Sequence, residues 1–120
     1  MSESDNQITF FEILRFNEAK YPQLKWIFAV PNGGHRHAAT AARLKREGVK
    51  AGIADIGVPL PSKGFHGAFI EMKEGKNKPT QEQADFLNAM RASGYAIEVA
   101  HSADEALTFI ENYLQIKLNK

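Results

Sequence analysis

Residues 66–83, HGAFIEMKEGKNKPTQEQ, constrain the fold more tightly than any other stretch of this chain. GAFIEMK is an apolar run of strand length, EGKNKP is a loop, and Thr80 with Gln83 three residues on is a capping-box pattern that opens a helix. Successive side chains of a strand point to opposite faces. Ile70 and Met72 therefore share one face, and Phe69, Glu71 and Lys73 share the other. A glutamate and a lysine together at the end of an apolar strand must either reach solvent or serve a site.

The elements on either side follow from the same reasoning. Residues 3 to 20 read as a helix, with Ile8, Phe11 and Leu14 at three-residue steps and Pro22 just beyond. LKWIFAV, residues 24–30, is a strand that stops at Pro31, and PNGG is a turn. HAATAARLKRE is an alanine-rich helix closed by Gly48. ADIGVPL is a strand, bent or at an edge because Gly57 and Pro59 interrupt it, and PSKG turns it into GAFIEMK. The helix opened by Thr80 has Phe86, Leu87 and Met90 as its apolar stripe and ends at Gly94. YAIEVA is a further strand. Ser102 and Glu105 form a second capping box, opening a helix whose Leu107, Ile110 and Leu114 face the core. The order α-β-α-β-β-α-β-α predicts an α/β fold, a mixed sheet of about four strands flanked by helices.

Composition removes several classes of function. A chain of 120 residues with no repeats is read as one domain, 1–120. It has no cysteine, which excludes disulfides and thiolate metal sites. The longest apolar runs, WIFAV and GAFI, fall far short of a bilayer span. MSESDNQ is acidic and polar, the opposite of a secretory signal, so a cytoplasmic protein is expected. The net charge is only +1, but Arg36, Arg43, Lys45, Arg46 and Lys50 lie close together with Glu47 as the single acid among them. Such a stretch suits either a polyanion lying across one face or a solvated helix.

Asp55 poses the same question as Glu71. It lies among apolar residues and glycine in a strand, where Asp is disfavoured. If ADIGVPL and GAFIEMK form a hairpin around PSKG, Asp55 and Glu71 come nearly opposite each other. Two carboxylates that close need a positive charge between them, and hard oxygen ligands suit Mg²⁺ or Mn²⁺. Lys73 would then orient or deprotonate an attacking water, or stabilise charge on a phosphate. A cross-strand ion pair at a sheet rim accounts for the same three residues.

The segments PNGG, LKREGVKAGIAD, IEMK, TQEQ and the GY before the last strand together resemble a VRR-NUC nuclease domain of the PD-(D/E)XK superfamily, from about Tyr21 to Leu114. The resemblance implies a restriction-endonuclease-like fold and Mg²⁺- or Mn²⁺-dependent hydrolysis of DNA phosphodiesters. It further implies Asp55 and Glu71 as metal ligands, Lys73 as the catalytic lysine, and Gln83 near the site; capping is the competing role for Gln83. Ala54 stands where the motif has proline. An acid on the first helix often completes such a site; Glu3, one helical turn before Gln7, fits best, with Glu12 and Glu18 as alternatives.

Asn32, Gly33, Gly34, His35 and Arg36 in the glycine loop, then Arg43, Lys45, Arg46 and Lys50, are the expected DNA contacts, made to phosphates without sequence readout. Trp26 is expected in the core. Stand-alone domains of this size resemble phage-type enzymes acting as homodimers on branched or four-way (Holliday) junction DNA, in the host cytoplasm if phage-encoded. The alternatives are a non-catalytic DNA-binding module with a nuclease-like fold and a hydrolase of small phosphate esters.

Overall fold

Ser2 starts the chain's first helix, α1 (Glu3–Phe16), by accepting the Asp5 N–H at 3.0 Å, while Asp5 reaches back to the Ser2 backbone. This is a capping box, with Asp in the place of the commoner Glu. The computed structural model describes residues 1–31 and 37–120. The helix stops earlier than the expected residue 20 because Asn17, buried at its C-terminus, turns its amide to Ile13 O and to Asn119 O, both at 2.8 Å. Short amide side chains offer the backbone an alternative to helical bonding, and here the alternative also ties the chain's end to α1.

The expected strand over 24–30 is replaced by a 3₁₀ turn, Pro22–Trp26, and a strand of only two residues, β1 (Phe28–Ala29). Proline at the turn's first position presets φ for it. Trp26 consequently projects outward, 59% exposed, with the Lys25 ammonium 5.0 Å from its ring centre. This corrects the expectation that Trp26 is a core residue. The helix α2 (Ala38–Arg46) follows with no buried residue, and Gly48 closes it at φ +103°, a conformation that favours glycine.

The strands β2 (Ile56–Val58), β3 (Ala68–Met72) and β4 (Ala96–Ala100) complete a four-stranded sheet in the order β1-β2-β3-β4. The β1–β2 and β2–β3 pairs are antiparallel, and β3–β4 is parallel, joined by the crossover helix α3 (Gln81–Ala92). The last helix, α4 (Ala103–Leu114), packs with α1. The sheet is mixed and flanked by helices, as the order of segments predicts.

The core lies where Phe10 and Leu14 of α1 and Leu107 and Ile110 of α4 meet Ile56, Val58, Ile70 and Met72, all fully or almost fully buried. The fully buried line on α1 thus runs through Phe10 and Leu14; Phe11 is partly buried against the same core, and Ile8 is exposed. Asn6 Oδ1 accepts the Ala103 N–H at 3.1 Å, so α1 satisfies one orphan donor at the start of α4. Ser102 caps α4 through the Glu105 N–H, but the Glu105 carboxylate takes the His101 N–H at 3.0 Å, so the second capping box closes one residue early. Among the described residues no helix is long and apolar enough to cross a membrane.

Candidate metal centre

The hairpin register decides where the three anomalous side chains go. Ile56 pairs with Ile70 and Gly57 with Phe69, so one step further Asp55 faces Glu71. The two residues are fastened crosswise. Asp55 Oδ2 accepts the Met72 N–H at 2.8 Å, and Glu71 Oε1 accepts the Asp55 N–H at 3.3 Å. On the other side the Val30 N–H donates to Asp55 O at 2.7 Å, which anchors the end of β1 beside the pair. Lys73 continues the ladder past β3 through its N–H to Ala100 O, and its Nζ lies 3.1 Å from Glu71 Oε2.

Burial makes this arrangement costly. Glu71 is 1% exposed and Lys73 8%. Burial, and next the neighbouring Asp55 charge, pushes the Glu71 carboxyl up from 4.5 to about 7 against the pull of the Lys73 ammonium. A buried ion pair of this kind contributes little net stability compared with an apolar pair. Perturbed carboxyls of this type cluster at functional sites.

Asp55 also lines a groove of about 680 Å³ between α1 and the β1 edge, and Glu3 and Gln7 line the same groove. Glu12 and Glu18 do not line it. Of the three candidate acids of α1, Glu3 is the one that lines this groove. Among the described residues, however, no three Asp, Glu or His side chains stand close enough to hold one metal. Glu3 shares the groove without joining a tight cluster.

Gln83 does what the capping box predicts: its Oε1 accepts the Thr80 N–H at 2.9 Å, and its own N–H reaches Thr80 Oγ1 at 3.3 Å. Arg43, Lys45, Arg46 and Lys50 are all exposed on α2 and the turn behind it. Lys50 and Val49 border a small cavity with Val30 and Pro31, so the basic segment reaches the chain next to Asp55. Asn32, Gly33, Gly34, His35 and Arg36 lie outside the described residues. Sequence reading missed Ile8, Arg15 and Phe28, which also line the groove. The four- and three-residue spacing of Ser4, Ile8, Phe11 and Arg15 along α1 was the one available signal.

The donor set fits a hard divalent cation. Asp55 and Glu71 offer carboxylate oxygens from adjacent strands, and a cation would offset both the burial and the mutual repulsion that raise the Glu71 carboxyl.

No family model matches the chain, and no curated protein does. A solved structure described as a "VRR_NUC domain protein" is similar to it at 25% identity with a TM-score of 0.78. The match covers 97% of this chain and 90% of that chain.

Proposed function

We propose that this chain, a VRR-NUC domain by its fold, is a metal-dependent endonuclease that hydrolyses DNA phosphodiester bonds. The observation that carries the reading is the cross-fastened Asp55–Glu71 pair with the Lys73 ammonium 3.1 Å from Glu71, at the end of a sheet of that fold. Asp55 and Glu71 would hold Mg²⁺ or Mn²⁺, with Glu3 in the same groove as the further acid. The ion, when bound, polarises the phosphoryl group and lowers the pKa of water.

The chain's own residues divide the remaining work. Lys73, held by Glu71 and by the β3–β4 ladder, presents a positive charge to the phosphate or orients the attacking water. Preorganisation of this kind costs nothing at the moment of reaction. The exposed Arg43, Lys45, Arg46 and Lys50 hold phosphates further along the strand. Gln83 acts by capping α3.

The finer reading is a phage-type homodimer, working in the cytoplasm, that cuts branched DNA with one active site per strand. Phe16 on α1, 74% exposed, is the kind of apolar surface a second copy would cover. The non-catalytic DNA-binding module remains the second reading. It is favoured by the Glu71–Lys73 pair neutralising itself and by the absence of a three-acid cluster among the described residues.

Incubating the protein with a labelled four-way junction and with linear duplex, in Mg²⁺, Mn²⁺ or EDTA, separates these readings. Metal-dependent, symmetric cutting of the junction supports the structure-selective homodimer. Equal cutting of both substrates keeps the nuclease and discards the selectivity. Binding without cutting in every metal selects the module.

A further inference from the structure

β4 is the last strand of the sheet, and one of its edges is open. It runs parallel to β3, and in a parallel pair the N–H and C=O of one residue turn to the same neighbouring strand. The Ala96 N–H goes to Gly67 O, and Ala100 O takes the Lys73 N–H, so Ala96, Glu98 and Ala100 serve β3. Ile97 and Val99 therefore turn both of their backbone groups outward, and no described residue bonds to them. An open edge of this kind is a template for a further strand.

A groove of about 820 Å³ follows this edge, with Thr108, Phe109 and Asn112 of α4 on one bank and Arg91 and Tyr95 at the end of α3 on the other. Beside the start of β4 it is aromatic and basic. Phe109 stacks on Tyr113 with ring centres 5.7 Å apart, Phe65 stands 6.3 Å from the same ring, and Lys63 joins Arg91. Toward the end of β4 it is acidic, with Asp104 and Glu105 from the first turn of α4. Glu98 lies between, half-buried, and no described residue forms an ion pair with it. Burial, and next the Glu105 charge, pushes its carboxyl up against the pull of His101.

From this layout we propose that β4 takes an extended peptide of a partner protein as a further strand, held by the outward groups of Ile97 and Val99. Facing residues of neighbouring strands share one face of the sheet. The peptide residue opposite Glu98 is therefore a lysine or arginine, which meets Glu98 and Glu105. The residue opposite Ala96 is large and apolar, filling the space that alanine leaves beside Phe109. The next residue turns to the other face, where Arg91 suits an acid. Written antiparallel, the commoner pairing, the motif is basic, any residue, apolar, acidic. A second copy of this chain fits poorly. The one antiparallel register that satisfies all four outward groups is centred on Glu98, and it sets two Glu98 carboxylates opposite each other. This groove shares no residue with the one that holds Asp55, so a docked peptide leaves the candidate metal centre open. The inference goes beyond the nuclease reading and stands without it.

The probe is a fluorescein-labelled peptide, Ser-Thr-Lys-Val-Leu-Asp-Ser, titrated against the full chain by anisotropy. Half-saturation should fall below about 1 mM. N-methylation of its valine, whose N–H is aimed at Ile97 O, should weaken binding about tenfold. N-methylation of its leucine, whose N–H points away from β4, should change binding less than about threefold. Glu98→Lys should bind the peptide about tenfold more weakly and should bind a version with glutamate in place of lysine better than the wild type does. That exchange of preference is one a misfolded variant does not produce. No binding up to about 1 mM, equal weakening by the two N-methyl groups, or Glu98→Lys binding both peptides as the wild type does overturns the inference. So does sedimentation that finds wild-type dimers and Ile97→Pro monomers. Proline at that position removes an outward N–H and no bond to β3, so a second copy would then hold the edge.

Discussion

Glu71 is a buried carboxylate set between the charges of Asp55 and Lys73. Its carboxyl is raised from 4.5 to about 7, first by burial and then by Asp55. A raised carboxyl favours the folded state most at low pH, where both states are protonated. That contribution is fully present below about 4.5 and is lost as pH rises through about 7, because the unfolded chain gives up its proton first. The loss is on the order of 3 kcal/mol at most. Chemical denaturation in EDTA from pH 4 to 8 should therefore show stability falling across this window in the wild type, with that component absent from Glu71→Gln. Equal slopes in the two proteins would mean that Glu71 ionises normally. Lys73→Ala should lower the cleavage rate about 10²- to 10⁴-fold with DNA affinity nearly unchanged, measured by single-turnover kinetics and anisotropy. Asp55, Glu71 and Lys73 were legible in the sequence because strand alternation and the midpoint of a hairpin fix their juxtaposition. Glu3 fitted best of the α1 acids by its spacing from Gln7, but its place in a groove with Asp55 was not legible, since it depends on the tertiary placement of α1 against β1.

At the scale of elements, Thr80 and Gln83 show how a local signal survives folding. Both halves of their capping box form. Gln83→Glu retains an acceptor for the Thr80 N–H and should leave stability and cleavage close to wild type. Gln83→Ala should cost roughly 1 kcal/mol in thermal unfolding without a selective loss of rate. A large rate loss in both variants, at unchanged stability, would give Gln83 a direct role in the site. The first strand was less legible, since the apolar run LKWIFAV looks like a core strand by composition. Pro22 instead sets a 3₁₀ turn, the strand shrinks to Phe28–Ala29, and Trp26 and Phe28 are left exposed at the sheet's edge. The first helix shows the converse, since its apolar residues exceed one stripe. Phe10 fills the core and Ile8 does not, so Phe10→Ala should cost about 3–5 kcal/mol, whereas Ile8→Ala should stay within about 0.5 kcal/mol. Urea denaturation of both variants measures the contrast.

For the whole molecule, the net charge of +1 hides a separation of roles. Asp55 and Glu71 are paired at the open end of the hairpin, while Arg43, Lys45 and Arg46 on α2 and Lys50 in the turn behind it are exposed, with Lys50 beside Val30 and Pro31. Each of these four that contacts a phosphate should, when changed to alanine, flatten the dependence of log affinity on log salt by about one unit, read from anisotropy at several salt concentrations. The segment order predicted the mixed α/β architecture because each strand and helix carried its own punctuation in proline, glycine and caps. The groove was not legible, because it is made by two elements whose packing no local pattern specifies. The central claim is that Asp55 and Glu71 form a metal-dependent hydrolytic site. Its most direct test is single-turnover cleavage of labelled DNA by wild type and Asp55→Asn, in Mg²⁺ and in EDTA, with binding measured on the same samples. The account predicts cutting by the wild type in Mg²⁺ alone and, in the other three samples, binding without cutting. Equal cutting by Asp55→Asn, or no cutting by the wild type with any divalent cation, would contradict it.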